Sequence, residues 1–132
     1  GSDVNTDVLE SAIQGCYAEK LLSPIPDSFR RRYFSSESEK PNSNNQIKTE
    51  IQRLIQFRQF NLMSAEYPIA TKFQLIFCRN VLYYLQPERR GFLIRKLVDH
   101  LEEGGWLVLG ITESGYSIDK MEKHSISIYQ KT

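Results

Sequence analysis

The sequence predicts an α/β fold, a three-layer sheet organised around one strand–helix–strand unit. Three observations carry that reading. The segment "FQLIFCRN" (73–80) is short and nearly all apolar, as strands covered on both faces are. In "PERRGFLIRKLVDHLEEGG" (87–105), Leu93, Ile94, Leu97, Val98 and Leu101 form one helical stripe behind a proline suited to the first helical position. Gly104 and Gly105 end that helix, and "WLVLGITES" (106–114) is a second buried run. Strand, helix and strand then make a right-handed crossover with a parallel pair.

Composition bounds what such a fold can do. With 132 residues the chain is one domain at most, long enough to bury a core. Apolar residues make up 40% and charged residues 25%, ordinary for a soluble protein. A net charge of +1 gives no global field to recruit nucleic acid or an anionic membrane. No apolar run approaches a membrane-spanning length, and no signal peptide is visible. Cys16 and Cys78 are far apart and outside any CxxC. No motif supports a disulfide between them, and free buried thiols in a reducing compartment fit better. His100 and His124 are isolated from any metal-ligand cluster and read as surface or helix-end residues.

Residues 5–15, "NTDVLESAIQG", read as a short helix. Asn5 or Thr6 caps it, Val8, Leu9, Ala12, Ile13 and Cys16 share an apolar face, and Gly15 suits the stop. Asp3 sits just ahead, where an acid often closes a strand in α/β folds, although almost no strand precedes it. Gly1 and Ser2 are either native or an expression scar. In "LLSPIPDSFRRRYF" (21–34) a helical turn starts at Pro26, and Arg30, Arg31 and Arg32 read as a solvated face rather than a phosphate patch. Residues 35–46, "SSESEKPNSNNQ", are polar and of low complexity, a loop or mobile insertion.

In "IKTEIQRLIQFRQFNLM" (47–63) alternation suggests a strand ending near Phe60, with a strand or ribbon before it. Helix competes there, because Ile47, Ile51, Leu54 and Ile55 fit a 3.6-residue period. The tail "HSISIYQKT" (124–132) alternates and reads as a last strand at the sheet edge. One charge feature stands against the pattern. Arg89 and Arg90 open the 87–105 helix and Glu102 and Glu103 close it, each opposed to the macrodipole at about 0.3–1 kcal/mol when exposed.

Open parallel sheets bind ligands beyond the carboxyl ends of their strands. That rule selects Asp3, Asn61 with Leu62, Arg79 and Asn80 with Tyr83 and Tyr84, and Thr112 to Ser114. Any one of them serves equally well to cap a strand and bond loop backbone. Together, at successive strand ends, they point to a cofactor crevice. An acid there accepts ribose hydroxyls, and the Asn61 amide suits an adenine edge. No GxSxG, Walker A, HExxH, Cys/His pair or GxGxxG occurs, which argues against hydrolase, kinase and metalloprotease chemistry. Methyl transfer fits better, since a sulfonium donor is already activated and the protein need only desolvate and align the reactants.

The runs "SDVNTDVLESAIQGCY", "FRRRYF", "FRQFNLM", "FQLIFCRNVLYYLQPERR", "LEEGGWLVLGITES" and "IYQK" follow one another in an order and spacing that resembles the CheR-type chemotaxis methyltransferases over essentially the whole chain. The resemblance implies a Rossmann-like class I methyltransferase sheet in a cytoplasmic enzyme. It implies S-adenosylmethionine as cofactor, S-adenosylhomocysteine as product, and glutamate side chains on the cytoplasmic helices of chemoreceptors as substrate, with no nucleic acid and no membrane insertion. By the same resemblance Asp3 holds the ribose hydroxyls, and Asn61 and Leu62 lie along the adenine. Arg79 and Asn80 line the methionine part, Tyr84 stands near the transferred methyl, and Tyr83 is a packing residue.

Departures from the family pattern carry expectations too. Its glycine-rich motif, expected on a strand before Asp3, is absent, and so is the small helical domain ahead of it. The sheet is thus expected to be truncated on its N-terminal side, residues 1–132 forming a partial methyltransferase domain. Two unpaired strand edges then invite a strand-swapped oligomer, and the chain alone is expected to bind the cofactor weakly or not at all. Gln86 replaces an acid, and "GITES" (110–114) replaces the more usual Gly-His-Ser-Glu-Ser. Residues 35–56 coincide with a small β-ribbon that docks receptor peptides in some members, but lack its glycines. The competing readings are a catalytically dead methyltransferase-like module that binds a signalling partner, and, with no phosphate loop to support it, a nicotinamide-binding oxidoreductase.

Overall fold

The computed structural model describes residues 1–36, 44–113 and 115–132. They form two compact units, Gly1–Asn61 and Leu62–Thr132. In the first, β1 (Ser2–Asp3) leads into α1 (Thr6–Gln14). Asn5 caps this helix, its side-chain oxygen accepting the N–H groups of Asp7 at 2.8 Å and Val8 at 3.4 Å. Gly15 ends it at φ 62°, a left-handed conformation that costs glycine little. Of the expected apolar face, Leu9 is buried, whereas Val8, Ile13 and Cys16 are exposed.

The first unit continues with β2 (Cys16–Ala18), α2 (Glu19–Leu22), α3 (Asp27–Tyr33) and β3 (Phe34–Ser36). After these come β4 (Asn44–Ile47), α4 (Thr49–Gln52) and β5 (Arg58–Gln59). β4 pairs antiparallel with β2 and β3, and β1 pairs parallel with β5. Arg31 and Arg32 are exposed, as a solvated face should be. Arg30 instead ion-pairs Glu19, whose carboxylate also accepts from the buried Asn45 at 2.8 Å. Hydrogen bonds from Asn45, then Arg30, hold the Glu19 carboxyl below the usual carboxylate range.

Two sequence expectations change here. The polar stretch 35–46 is not wholly loop, because the ladder of Phe34 opposite Ile47 extends into it from both sides. Its centre, 37–43, lies outside the described residues. The segment 47–63 takes both competing forms in turn, helical at Thr49–Gln52 and extended at Arg58–Gln59.

The second unit holds the strand–helix–strand motif: β6 (Phe73–Cys78), α5 (Pro87–Asp99) and β7 (Leu101–Leu109). β6 and β7 run parallel, in register from Leu75 opposite Trp106 to Cys78 opposite Leu109. Pro87 opens α5, and Leu93, Ile94, Leu97 and Val98 bury its stripe in a core with Leu101, Leu107, Leu109 and Tyr129. β8 (Met121–Lys123) and β9 (Ile128–Lys131) complete a four-stranded sheet in the order β6, β7, β9, β8. The tail strand is therefore internal and β8 is the edge. Alternation reports one buried face, which an internal strand shows as well as an edge strand.

The helix stops at Asp99, short of the glycine pair, because Leu101 already pairs with Phe73. Gly104, at φ 76°, and Gly105 instead belong to a bulge, where the register jumps from Phe73–Leu101 to Leu75–Trp106. A Cβ on Gly105 would lie 2.8 Å from the Glu102 carbonyl oxygen and 3.1 Å from that of Phe73. The charge puzzle resolves at the same place. Glu102 and Glu103 are not at a helix end: Glu102 accepts from Gln74 at 2.7 Å, and Glu103 pairs with Lys131 at 3.1 Å. Arg90 donates through Nε to the Leu85 carbonyl at 2.9 Å.

β6 was expected to be covered on both faces, yet Phe77 is 67% exposed and Phe73 and Leu75 are open as well. Its hydrogen-bonding edge opposite β7 bonds no described strand. Apolar composition shows that burial would be favourable, not that these residues supply the cover. For the same reason the expected single three-layer sheet does not form among the described residues. Their strands lie in three separate sheets, within an α/β chain that keeps one parallel pair in each unit. Cys78 is a buried free thiol as expected, while Cys16 is free but exposed. Among the described residues no helix is long and apolar enough to cross a membrane. Gly105→Ala is expected to destabilise the second unit by about 1–3 kcal/mol, since backbone oxygens cannot yield to the new methyl. Urea unfolding measures this, and an unchanged midpoint contradicts the bulge geometry.

Candidate functional site

The carboxyl ends of β6 and β7 lie side by side, with Cys78 opposite Leu109. Past them the chain turns twice, through single 3₁₀ turns at Leu82–Tyr84 and Ile111–Glu113. Asn80 adopts φ 60°, a conformation asparagine tolerates better than most residues. The two turns meet at one carboxylate. Glu113 is 4% exposed; its Oε2 accepts the N–H of Asn80 and that of Gly110, each at 2.9 Å. Its Oε1 accepts the N–H of Tyr83 at 3.0 Å. Three charge-assisted bonds to backbone satisfy a buried anion and fix both turns at once.

This corrects one expectation. The sequence suggests a ligand-facing role for Thr112 to Ser114, but the Glu113 carboxylate turns inward onto backbone donors. Thr112 is exposed, and Ser114 lies outside the described residues. Gly110 makes the arrangement fit. A Cβ there would lie 2.5 Å from Glu113 Oε2, 2.9 Å from Asn80 Oδ1 and 3.1 Å from Asn80 N. The signal that could have found the brace is a glycine ending a buried strand with an acid one 3₁₀ turn later.

Arg79 and Asn80 are exposed at this strand end. Tyr84 is 81% exposed, its ring edge-on to that of Tyr83 with centroids 5.2 Å apart. Tyr83, expected to pack, is 71% exposed, and the fully buried Leu82 takes the inward place. A one-turn helix can bury only one of three successive side chains here, and the core selects the leucine. Leu62 packs partly buried against the same core, and its carbonyl accepts the Tyr67 hydroxyl at 2.6 Å. Beneath the strand end, burial and then the negative charge of Glu113 push the Cys78 thiol up to about 11, so it stays protonated at neutral pH.

Asp3 and Asn61 belong to the first unit. The parallel pair sets Asp3 opposite Gln59, and Phe60 N–H donates to the Asp3 carbonyl at 3.3 Å. Asp3 and Asn61 thus stand at the carboxyl ends of two adjacent strands. Oδ1 of Asp3 accepts the Asn5 N–H at 2.9 Å, which steadies the capping residue of α1. A groove of about 380 Å³ in this unit is lined by Ala12, Ile13, Tyr17, Ile47 and Phe57 among others, with no predicted site residue in its wall. Among the described residues no three His, Cys, Asp or Glu side chains converge as metal ligands.

Glu113→Gln is expected to cost about 1–3 kcal/mol, because whichever way the amide turns, an NH₂ faces a backbone N–H. Equilibrium unfolding in urea checks it, and wild-type stability in the variant removes the bracing role.

Comparison with known proteins identifies the family. The family described as "CheR methyltransferase, SAM binding domain" matches residues 1–129. The chemotaxis protein methyltransferase of Vibrio parahaemolyticus is 34% identical over 113 residues, which are 86% of this chain and 40% of that protein. The chemotaxis protein methyltransferase of Borreliella burgdorferi is 28% identical over 130 residues, 98% of this chain and 45% of that protein. Chemotaxis protein methyltransferase 2 of Pseudomonas aeruginosa is 32% identical over 113 residues, again 86% and 40%. The chain thus spans less than half the length of these relatives. With a match that runs from its first strand to its last, the chain belongs to the CheR methyltransferase family, in the part that forms the S-adenosylmethionine-binding domain.

Proposed function

We propose that this chain is the carboxyl-terminal part of the catalytic domain of a protein-glutamate O-methyltransferase, one that methylates chemoreceptor cytoplasmic helices in the cytoplasm. The observation that carries the reading is the braced strand end, where Arg79, Asn80 and Tyr84 stand exposed on turns locked by Glu113. Such a platform is rigid and polar, lacks a nucleophile, and so suits alignment rather than acid–base work. The family match over residues 1–129 supports the same chemistry.

Each unit, taken by itself, offers groups of the kind that the cofactor requires. Asp3 commits Oδ1 to Asn5, which leaves Oδ2 to accept a ribose hydroxyl. Leu62 and the Asn61 amide suit an adenine face and edge. Arg79 and the Asn80 side chain, beside the close approach that only a glycine at 110 permits, suit the amino-acid end. When bound, S-adenosylmethionine supplies a methyl group already activated by its sulfonium. Glutamate carboxylates are ionised at neutral pH, so the protein has no proton to remove. Tyr84 directs its hydroxyl to a substrate carboxylate oxygen and orients it for attack. The paired strands Phe34–Ser36 and Asn44–Ile47 open, on this reading, a small β-ribbon insertion at about 35–56.

The chain contains no glycine-rich phosphate or cofactor loop. Alone it therefore binds S-adenosylhomocysteine weakly or not at all, and calorimetric titration giving micromolar affinity overturns that statement. The full-length protein is expected to transfer labelled methyl groups from S-adenosylmethionine to receptor-containing membranes in base-labile, ester form. Tyr84→Phe should lower kcat about 10- to 100-fold through misorientation. Absence of any transfer by the wild type removes the proposed function and leaves a non-catalytic module.

A further inference from the structure

Apart from the braced strand end, the second unit holds a further polar cluster. It gathers where the C-terminal half of α5 meets the segment that follows Asn61. The Lys96 ammonium donates to the carbonyls of Ser64 and of Ala65, the latter at 2.9 Å. It also sits over the Tyr67 ring, 3.9 Å from the centroid, and lies 5.3 Å from the centroid of the Phe92 ring. The His100 ring lies tilted against that of Tyr67, centroids 4.9 Å apart, and its Nδ1 is 2.8 Å from the Lys96 carbonyl oxygen. At the centre, Tyr67 donates its hydroxyl to the Leu62 carbonyl at 2.6 Å.

The cluster has a definite mechanical effect. Residues 62–67 form no helix or strand, so nothing in a regular ladder fixes the backbone at Leu62. Lys96 satisfies two carbonyls of this segment with one cation, and Tyr67 closes the six-residue segment back onto Leu62. The Tyr67 ring is in contact with both the Lys96 ammonium and the His100 ring, and its hydroxyl is committed to the Leu62 carbonyl. Leu62 is also pressed partly buried against the core of the unit. Burial, then the neighbouring Cys78, push the Tyr67 hydroxyl up to about 12, so it keeps its proton at any working pH and remains a donor.

We propose that Tyr67 and Lys96 clamp the Leu62 backbone and thereby set the affinity for the adenine of the methyl donor. Tyr67 is a positioning residue, since it acts through Leu62 rather than on the reacting atoms. The inference rests on the proposed function, which sets Leu62 against adenine. The clamp belongs to binding and not to the strand end that carries Tyr84, so its loss separates KM from kcat.

The test uses the full-length protein, with S-adenosylhomocysteine as the calorimetric probe and S-adenosylmethionine in turnover. Tyr67→Phe removes one hydroxyl and keeps the ring beneath Lys96. It should weaken S-adenosylhomocysteine binding and raise KM for the donor by about 2- to 12-fold, the span of one net hydrogen bond, while kcat stays near wild type. Lys96→Met removes both carbonyl contacts, keeps Tyr67, and should move KM in the same direction; it decides the matter if Tyr67→Phe fails to fold. Unchanged KM and affinity in a folded variant, or a loss confined to kcat, overturns the clamp while leaving the methyltransferase intact. A wild type that neither binds nor turns over the donor overturns both.

Discussion

A buried carboxylate bonded to three backbone N–H groups is the constraint on which the rest of the site depends. When two parallel strands end side by side, their next residues lose ladder partners, and buried N–H groups left unpaired cost about 1–3 kcal/mol each. Glu113 meets that demand for Asn80, Tyr83 and Gly110 together. A buried charge is itself expensive unless fully hydrogen-bonded, so anion and donors require one another. The absence of a side chain at Gly110 and the left-handed backbone at Asn80 follow as consequences: each lets the N–H groups converge on so small a target. Arg79, Tyr83 and Tyr84 inherit their placement from this knot rather than from packing, which is why they stand exposed and yet positioned.

The sequence was most legible where signals are local. Asn5 and Gly15 mark the two ends of α1, and Pro87 and the Leu93–Val98 stripe mark α5, because capping and periodicity involve neighbours in the chain. The parallel pairing of β6 and β7 follows from the length of their crossover. Expectations failed where a distant partner decides. Gly104 and Gly105 look like a helix stop, but pairing of Leu101 with Phe73 ends the helix earlier and turns the glycines into a bulge. Tyr83 yields the interior to Leu82 because the core accepts one side chain from that turn.

The candidate site was legible in a different way. Arg79, Asn80, Tyr84, Asp3, Asn61 and Leu62 were visible as polar or terminal positions after apolar runs, and family resemblance gave them roles. Glu113 was visible too, but facing the wrong way, since no local pattern distinguishes an acid that meets a ligand from one that meets backbone. Tyr67 and Lys96 carry no local sequence signal. They lie far apart in sequence, and only the fold of the second unit brings the ammonium over the ring. Burial was misjudged at Phe77 for a related reason, as composition records an appetite for cover and not its source.

The bracing by Glu113 is open to a direct reading through native-state amide hydrogen exchange. The N–H groups of Asn80, Tyr83 and Gly110 lie in turns, outside any ladder, yet each donates to the buried carboxylate. The account predicts that all three exchange as slowly as the amides of the β6–β7 ladder, opening only when the second unit unfolds. Exchange at the rate of exposed turn amides, with the ladder still protected, would contradict it.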